Sequence, residues 1–517
     1  MMHLTQSLHR AVQQTPDAPM TIFNGRTRTF REVQDRVARL AGGLRALGVG
    51  SGDRAGILAL NADNYNEALL AIAWADGVLN PQNIRWSAAE IAYALSDSET
   101  SVLFVDDAFA GVAEQLLRDV PALKTVVHWG SGETPANTTS YDVLVEQSEA
   151  IEDARRSGDE LAGLFYTGGT TGTPKGVMLT HNNLVASALG TLASGAFVTP
   201  GGRYLHAAPM FHLADLAAWT AQLQLGGTHV IVPKFDPVDV LRAIQDDGAT
   251  DVLIVPTMIQ ALVDDPRRMD FNTDGLRHIL YGASPIDDAL LERAMKAFPQ
   301  AEFTQAYGMT ELSPVATLLS PSDHLESPGS PARLRSAGRA APHAEVRIVD
   351  PDDNELPRGE VGEIIVRGPH VMVGYWNKPE ESAAALRGGW MHTGDAGRMD
   401  DAGYVYVVDR IKDMIITGGE NVYSAEVENA LCAHPAVAAA AVIGLPDEQW
   451  GERVHAVVVL SPDATANESE LIDHVRALIA GYKTPRGVTI LDALPVSGAG
   501  KVLKRELRET LANAGDA

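Results

Sequence analysis

The string Tyr166-Thr167-Gly168-Gly169-Thr170-Thr171-Gly172-Thr173-Pro174-Lys175-Gly176 combines the three residue types that hold a polyanion. Glycines let backbone N–H groups turn toward an anion, hydroxyls supply donors, and a lysine adds positive charge. Those are the requirements of a triphosphate cradle. The string differs from the familiar nucleotide-triphosphatase loop, where glycine precedes the lysine and serine or threonine follows it. Here Pro174 and Gly176 occupy those places. A flexible Gly/Thr surface loop is the plain alternative, and the length of the string argues against it.

Further segments follow in chain order: Tyr281-Gly282-Ala283-Ser284-Pro285, Gln305-Ala306-Tyr307-Gly308-Met309-Thr310-Glu311, and Gly394-Asp395 followed by Asp409-Arg410-Ile411-Lys412-Asp413. Gly418-Gly419-Glu420-Asn421-Val422-Tyr423 and Gly498-Ala499-Gly500-Lys501 complete the set. Together the chain resembles the adenylate-forming superfamily of acyl-CoA synthetases, peptide-synthetase adenylation domains and beetle luciferases.

The resemblance implies the following roles. Thr167, Gly168, Gly169, Thr170, Thr171, Gly172 and Lys175 hold the β- and γ-phosphates of ATP. Backbone groups around Gly282, Ala283 and Ser284 line the adenine edge, and Tyr307 stacks on its face. Thr310 bonds the α-phosphate. Glu311 is the magnesium ligand, in keeping with a metal that takes one or two carboxylates plus phosphate oxygens and water. Asp395 accepts hydrogen bonds from the ribose hydroxyls, and Arg410 assists at ribose or phosphate. A carboxylate attacking the α-phosphate approaches a polyanion, so charge must be neutralised in the transition state. Lys501, on a glycine-rich loop, is the residue for that work. Taken alone it reads equally well as a solvated lysine opening a basic helix with Lys504 and Arg505. Lys412 matches the family's hinge, about which a small C-terminal domain alternates between two poses. One pose presents Lys501 for adenylation and the other presents Gly418-Gly419 for thiol attack.

Pro209-Met210-Phe211-His212 resembles the segment between the acyl pocket and the thiol tunnel. His212 then gates the tunnel or makes a polar contact. Asp215 and Trp219 are expected near the pocket, although Asp215 is equally placed to cap the following helix. Ala306 stands where the family commonly has glycine, and its methyl narrows the pocket floor toward a slimmer or shorter acid.

Positioning these residues requires a large scaffold. A chain of 517 residues exceeds one ordinary core, so two domains are expected, 1–409 and a mobile 410–517. Residues 20–23 and 26–30 form a hairpin around Asn24-Gly25. Thr29 and Glu32 have capping-box spacing, and Val33, Val37, Leu40, Leu44 and Leu47 share one helical face. Short apolar runs at 55–60, 102–105, 125–128, 229–233, 251–256 and 278–281 alternate with helix-like stretches. That rhythm predicts α/β architecture, with layered βαβ units around mainly parallel sheets. From about Glu345 the texture becomes a strand-rich subdomain. A small α+β unit ends the chain, with strands at 437–443, 454–460 and 488–491 and a final helix from Val502. Asn467 and Glu470 cap a helix whose Leu471, Ile472, Val475, Leu478 and Ile479 form its apolar face, ending at Gly481.

The formal charge of -26 opposes nucleic-acid or anionic-membrane binding. Cys432 is the only cysteine, so neither an intramolecular disulfide nor a multi-cysteine zinc site can form; it reads as a small buried apolar residue. No apolar run is long enough to span a membrane, and a cytoplasmic enzyme is expected, with a homodimer one option for its assembly.

The leading reading is an ATP- and magnesium-dependent carboxylate–CoA ligase acting on a small-molecule acid, fatty or aromatic. One alternative is an adenylation enzyme that loads a carrier protein in trans, and a luciferase-type oxygenase shares the same first step. A non-catalytic nucleotide-binding protein would have lost Lys501, Glu311 or the phosphate loop, and all three are present. No Gly-x-Ser-x-Gly elbow marks a simple hydrolase.

Overall fold

A computed structural model describes residues 2–168, 174–325, 333–418, 420–447, 449–462, 464–496 and 502–514. The chain divides into two compact units, Met1–Val346 with Val366–Met391, and Arg347–Ile365 with His392–Ala517.

The first unit is built on two sheets. One has nine strands in the order Arg339–Ala340, Val315–Leu319, Glu302–Gly308, His278–Gly282, Asp251–Leu253, Arg203–His206, Thr228–Ile231, Pro19–Phe23 and Arg26–Thr29. Its six central strands run parallel. Side-chain alternation sends neighbouring residues to opposite faces. Val252 and Ile279 join one core with Val240, Leu241 and Leu291, whereas Leu253 and Leu280 join another with Ala188, Ala218 and Ala221. Helices therefore cover both faces, which is why these strands read as continuous apolar runs.

The second sheet has eight strands, ordered Gly374–Tyr375, Lys175–Thr180, Leu161–Thr167, Val78–Pro81, Arg54–Leu58, Val102–Asp106, Thr125–Trp129 and Thr139–Ser140. Its middle strands are parallel, and the Leu161–Thr167 and Lys175–Thr180 pair is antiparallel.

Local signals fold as their chemistry dictates. Asn24 and Gly25 take φ of 49° and 74°, the left-handed pair of a tight hairpin. The Thr29–Glu32 capping box forms and opens the helix Phe30–Ala46, with Val33, Val37, Leu40 and Leu44 buried.

In the second unit Val427, Ala430, Leu431, Leu471 and Val475 pack on one face of a sheet through Val442, Val454 and Val458. Leu507 packs with Ala441, Ile443 and Val457 in a separate cluster. Asn467 and Glu470 do form a capping box, but the helix Glu468–Leu478 buries only Leu471 and Val475. Leu478 is 54% exposed, and Gly481 opens a short 3-10 turn instead of ending the helix. Burial along Ser424–Cys432 ends at Leu431; Cys432, one step or about 100° further round, points outward and is exposed rather than buried. Among the described residues no helix is long and apolar enough to cross a membrane.

His278 lies between two carboxylates on flanking parallel strands. Its Nδ1 is 3.0 Å from Asp251 Oδ1, and its Nε2 is 3.0 Å from Glu302 Oε2. Burial alone would lower its pKa, but the two acids outweigh it and hold the imidazole above its ordinary range. A raised folded pKa gives stability that is fully present below about pH 6.5 and lost as pH rises through the folded value. Thermal unfolding should therefore show wild type more stable than His278→Gln at pH 6, the gap narrowing toward pH 9. A gap independent of pH would refute the charged pairing.

Candidate active site

Two antiparallel strands flank the Gly/Thr-rich string. Strands Leu161–Thr167 and Lys175–Thr180 stay paired up to Thr167 opposite Lys175, with Tyr166 opposite Gly176. This fixes where the loop leaves and rejoins the sheet. Thr167 and Lys175 are half-buried and Gly168 is exposed; Gly169, Thr170, Thr171 and Gly172 lie outside the described residues.

The segments 281–285 and 305–311 begin on adjacent strands of the nine-stranded sheet. Tyr281 pairs with Gln305 and Gly282 with Ala306, so Ser284, just past its strand, and Tyr307, still paired with Thr317, lie toward the same end of the sheet. Gly282 has no room for a side chain, since a Cβ there would lie 2.2 Å from the Ala306 carbonyl oxygen. Gly282→Ala should force the two strand ends apart, at a stability cost of about 1–3 kcal/mol. AMP affinity should fall as well, and thermal unfolding with calorimetry measures both effects. Unchanged values would mean the strand ends yield freely. Ala283 adopts φ of 65°, a left-handed conformation that residues with a Cβ resist.

Tyr307 and Thr310 are half-buried, and Thr310–Leu312 forms a single 3-10 turn after the strand. Glu311 within it is 5% exposed. The Tyr375 hydroxyl donates to Glu311 Oε1 at 2.8 Å. The ring of the same tyrosine lies beneath Lys175, with Nζ 5.0 Å from its centroid. Burial and the Glu311 charge together push the Tyr375 phenol above its usual range, so it stays protonated and able to donate.

Sequence reading did not identify Tyr375 as part of the site. A tyrosine in Gly374-Tyr375-Trp376 carries no local mark of a partner in the Glu311 or Lys175 segment. The backbone around it is a clasp. Met372 N–H donates to the Glu311 carbonyl at 2.9 Å, and Trp376 N–H donates to the Gly176 carbonyl at 2.8 Å.

His212 is half-buried, is the N-cap residue of the helix Leu213–Leu225, and has the Phe211 ring 4.1 Å away. Its loop is pinned by Asn61, whose Nδ2 donates to the Ala208 carbonyl at 2.9 Å while its Oδ1 accepts from Met210 N–H at 2.8 Å. Ala306 packs against the core that includes Ala218 and Ala221 of the same helix.

Asp215 does not cap that helix. Its carboxylate is fully buried, with Oδ2 2.7 Å from His206 Nδ1, and it accepts from the Tyr204 hydroxyl. Trp219 is 1% exposed and donates its indole N–H to Asn66. His212 and Ala306 are thus partly exposed, whereas Asp215 and Trp219 are buried.

In the second unit Asp395 and Arg410 face each other across an antiparallel pair, and Arg410 Nε is 2.6 Å from Asp395 Oδ1. The strand leading into Asp395 is held by Glu363, which accepts from Gly394 N–H at 3.0 Å and contacts His392 Nδ1 at 2.8 Å. Lys412 lies in the 3-10 turn Ile411–Asp413. This turn is anchored on one side by Asp409, which accepts from the Ser424 hydroxyl at 2.6 Å, and on the other by Arg508, 2.9 Å from Asp413. Gly418 has φ of 60° under the Trp450 ring, where a Cβ would come within 2.8 Å. Gly419 and Lys501 lie outside the described residues.

Residues 8–376 match the AMP-binding enzyme family, and residues 426–501 match the AMP-binding enzyme C-terminal domain. The chain belongs to the AMP-binding enzymes. The feruloyl-CoA synthase of Amycolatopsis sp is 40% identical over 505 residues, covering 96% of this chain and 97% of that protein. The fatty acid–[acyl-carrier-protein] ligase ScoC of Streptomyces coeruleorubidus is 36% identical over 510 residues, covering 98% and 95%. Among solved structures, o-succinylbenzoate CoA synthetase from Bacillus subtilis, in complex with its acyl-adenylate intermediate, superposes with a TM-score of 0.86. It is 34% identical, with 97% of each chain covered.

The residues of this AMP-binding enzyme suit magnesium held jointly with a triphosphate. Among the described residues no group of three or more metal-ligating side chains occurs. One buried carboxylate in a segment tied to the phosphate hairpin is the donor set of a metal that keeps phosphate oxygens and water as its other ligands.

Proposed function

We propose that this AMP-binding enzyme is an ATP-dependent carboxylate–CoA ligase for a hydrophobic acid, fatty or aromatic. The acid and ATP give acyl-AMP and pyrophosphate, and acyl-AMP and coenzyme A then give acyl-CoA and AMP. The observation that carries the reading is the linkage of Glu311 to Lys175 through Tyr375, which joins the magnesium carboxylate to the phosphate hairpin.

Thr167, Thr170, Thr171 and Lys175 hold the β- and γ-phosphates and stabilise pyrophosphate as it leaves. Thr310 donates to the α-phosphate, Tyr307 stacks on adenine, and backbone groups of Gly282–Ser284 meet its edge. Glu311 would hold magnesium, which would supply neutralisation of the phosphate charge. Asp395 accepts from the ribose hydroxyls, with Arg410 fixing its orientation. Lys501 supplies positive charge where the carboxylate meets the α-phosphate. The anhydride then makes the acyl carbon electrophilic enough for a thiolate without a covalent enzyme intermediate. Residues 410–517 act as the mobile domain about Lys412, presenting Lys501 for the first step and Gly418-Gly419 for the second. His212 gates the thiol's approach, and Ala306 narrows the acyl pocket. A cytoplasmic setting belongs to this reading, with a homodimer as the assembly to test by light scattering.

The similarity to an acyl-carrier-protein ligase supports a second acceptor, the pantetheine arm of a separate carrier protein. Incubating the protein with ATP, magnesium and a panel of acids, with and without coenzyme A, separates the readings by mass spectrometry. Acyl-CoA formation establishes the ligase and names its acid. Acyl-AMP that never reaches coenzyme A, but is transferred to a carrier protein, establishes the second reading.

A further inference from the structure

We propose that Tyr375 is a positioning residue that couples the magnesium carboxylate to the phosphate-loop lysine, an inference that rests on the ligase reading above. Glu311 belongs to a turn leaving the nine-stranded sheet, whereas Lys175 starts a strand of the eight-stranded sheet. Tyr375 sits on the edge strand beside Lys175–Thr180 and touches both groups.

Its hydroxyl bond to Oε1 fixes the rotation of the Glu311 carboxylate, and thereby the direction from which a cation is met. With Glu311 5% and Tyr375 9% exposed, this is a charge-assisted bond screened from water, stronger than its surface counterpart. The ring face holds the Lys175 ammonium by cation–π attraction and limits where it can swing.

Backbone bonds keep the tyrosine in register with both partners. Met372 N–H holds the Glu311 carbonyl, and on the other side Val373 N–H holds the Met178 carbonyl at 3.1 Å. The Ser382 hydroxyl accepts from Tyr375 N–H at 2.8 Å. A phenylalanine would fill the same volume, so packing alone accounts for the ring and leaves the hydroxyl unexplained. The two positive charges that neutralise the departing pyrophosphate are thus set by one side chain.

The test uses the full chain as wild type, Tyr375→Phe, Tyr375→Leu and Glu311→Gln. Magnesium is titrated in ATP–pyrophosphate exchange, and calorimetry follows binding of α,β-methylene-ATP with magnesium and of AMP without it. Tyr375→Phe should raise half-saturating magnesium about 10-fold, the loss of one hydrogen bond to a charged group. Magnesium-dependent analogue binding should weaken in step, while AMP binding changes by less than about 2-fold because AMP does not use that pair. Tyr375→Leu, which removes the ring as well, should weaken analogue binding by about a further 3-fold.

An unshifted magnesium titration in Tyr375→Phe, with Glu311→Gln shifted, would overturn the proposal and leave the metal assignment standing. An unshifted titration in Glu311→Gln would remove the metal assignment and the proposal with it. Equal losses of AMP and analogue affinity in Tyr375→Phe would reduce the tyrosine to a structural role and also overturn it.

Discussion

Lys501→Ala should lower the adenylation half-reaction by about 10²–10³-fold, the usual effect of removing one preorganised donor from a charged transition state. The second half-reaction should be nearly unaffected. In the first step a carboxylate anion meets the α-phosphate of a triphosphate, and negative charge accumulates as pyrophosphate separates. In the second step a thiolate attacks an acyl carbon and AMP leaves, so the phosphate charge involved is smaller and already formed. ATP–pyrophosphate exchange reads the first step, and synthetic acyl-AMP with coenzyme A reads the second. Equal losses in both would refute a role confined to adenylation and point to a general disturbance of residues 410–517.

Glu311→Gln should leave the fold intact and lower ATP–pyrophosphate exchange by about 10²-fold or more, because a metal acting as Lewis acid contributes several kcal/mol at such a centre. The substitution is nearly isosteric, and the amide oxygen can still accept from the Tyr375 hydroxyl, so packing and that hydrogen bond survive. What disappears is the charge that attracts the cation. The loss should shrink as magnesium is raised, which separates weakened metal binding from misfolding. A loss that magnesium cannot reduce, accompanied by a lower Tm, would assign Glu311 to the core instead of the metal.

Both variants alter residues whose segments are recognisable in the sequence, and the reason is physical. A phosphate cradle is built from consecutive glycines, hydroxyls and a lysine, because backbone N–H groups must converge within one loop. The same locality made the Asn24-Gly25 hairpin and the Thr29–Glu32 and Asn467–Glu470 caps readable, since each partner lies within three residues of the other. Alternating apolar runs were enough to anticipate parallel strands covered on both faces. They did not reveal strand order. Pro19–Phe23 lies beside Thr228–Ile231, a pairing that depends on which surfaces can be buried together after collapse.

Side-chain fate at helix ends was also outside what periodicity reports. Cys432 and Leu478 face outward because each closes its helix just past the residues that pack on the sheet. Asp215 shows the same limit for polar residues. Its spacing suited a helix cap, but its carboxylate is fully buried and bonds His206 and Tyr204 on the neighbouring strand instead.

The sequence by itself determined the class of chemistry, because the groups proposed to bind phosphate, ribose and magnesium are marked by residue type and short spacing. Only the tertiary structure decided how those groups are aimed. Tyr375 reaching Glu311 and Lys175, Glu363 holding Gly394, and Asn61 pinning the loop before His212 are contacts between segments far apart in the chain. Such contacts leave no periodic or local trace, since they exist only once the sheets have formed and water has been excluded from between them.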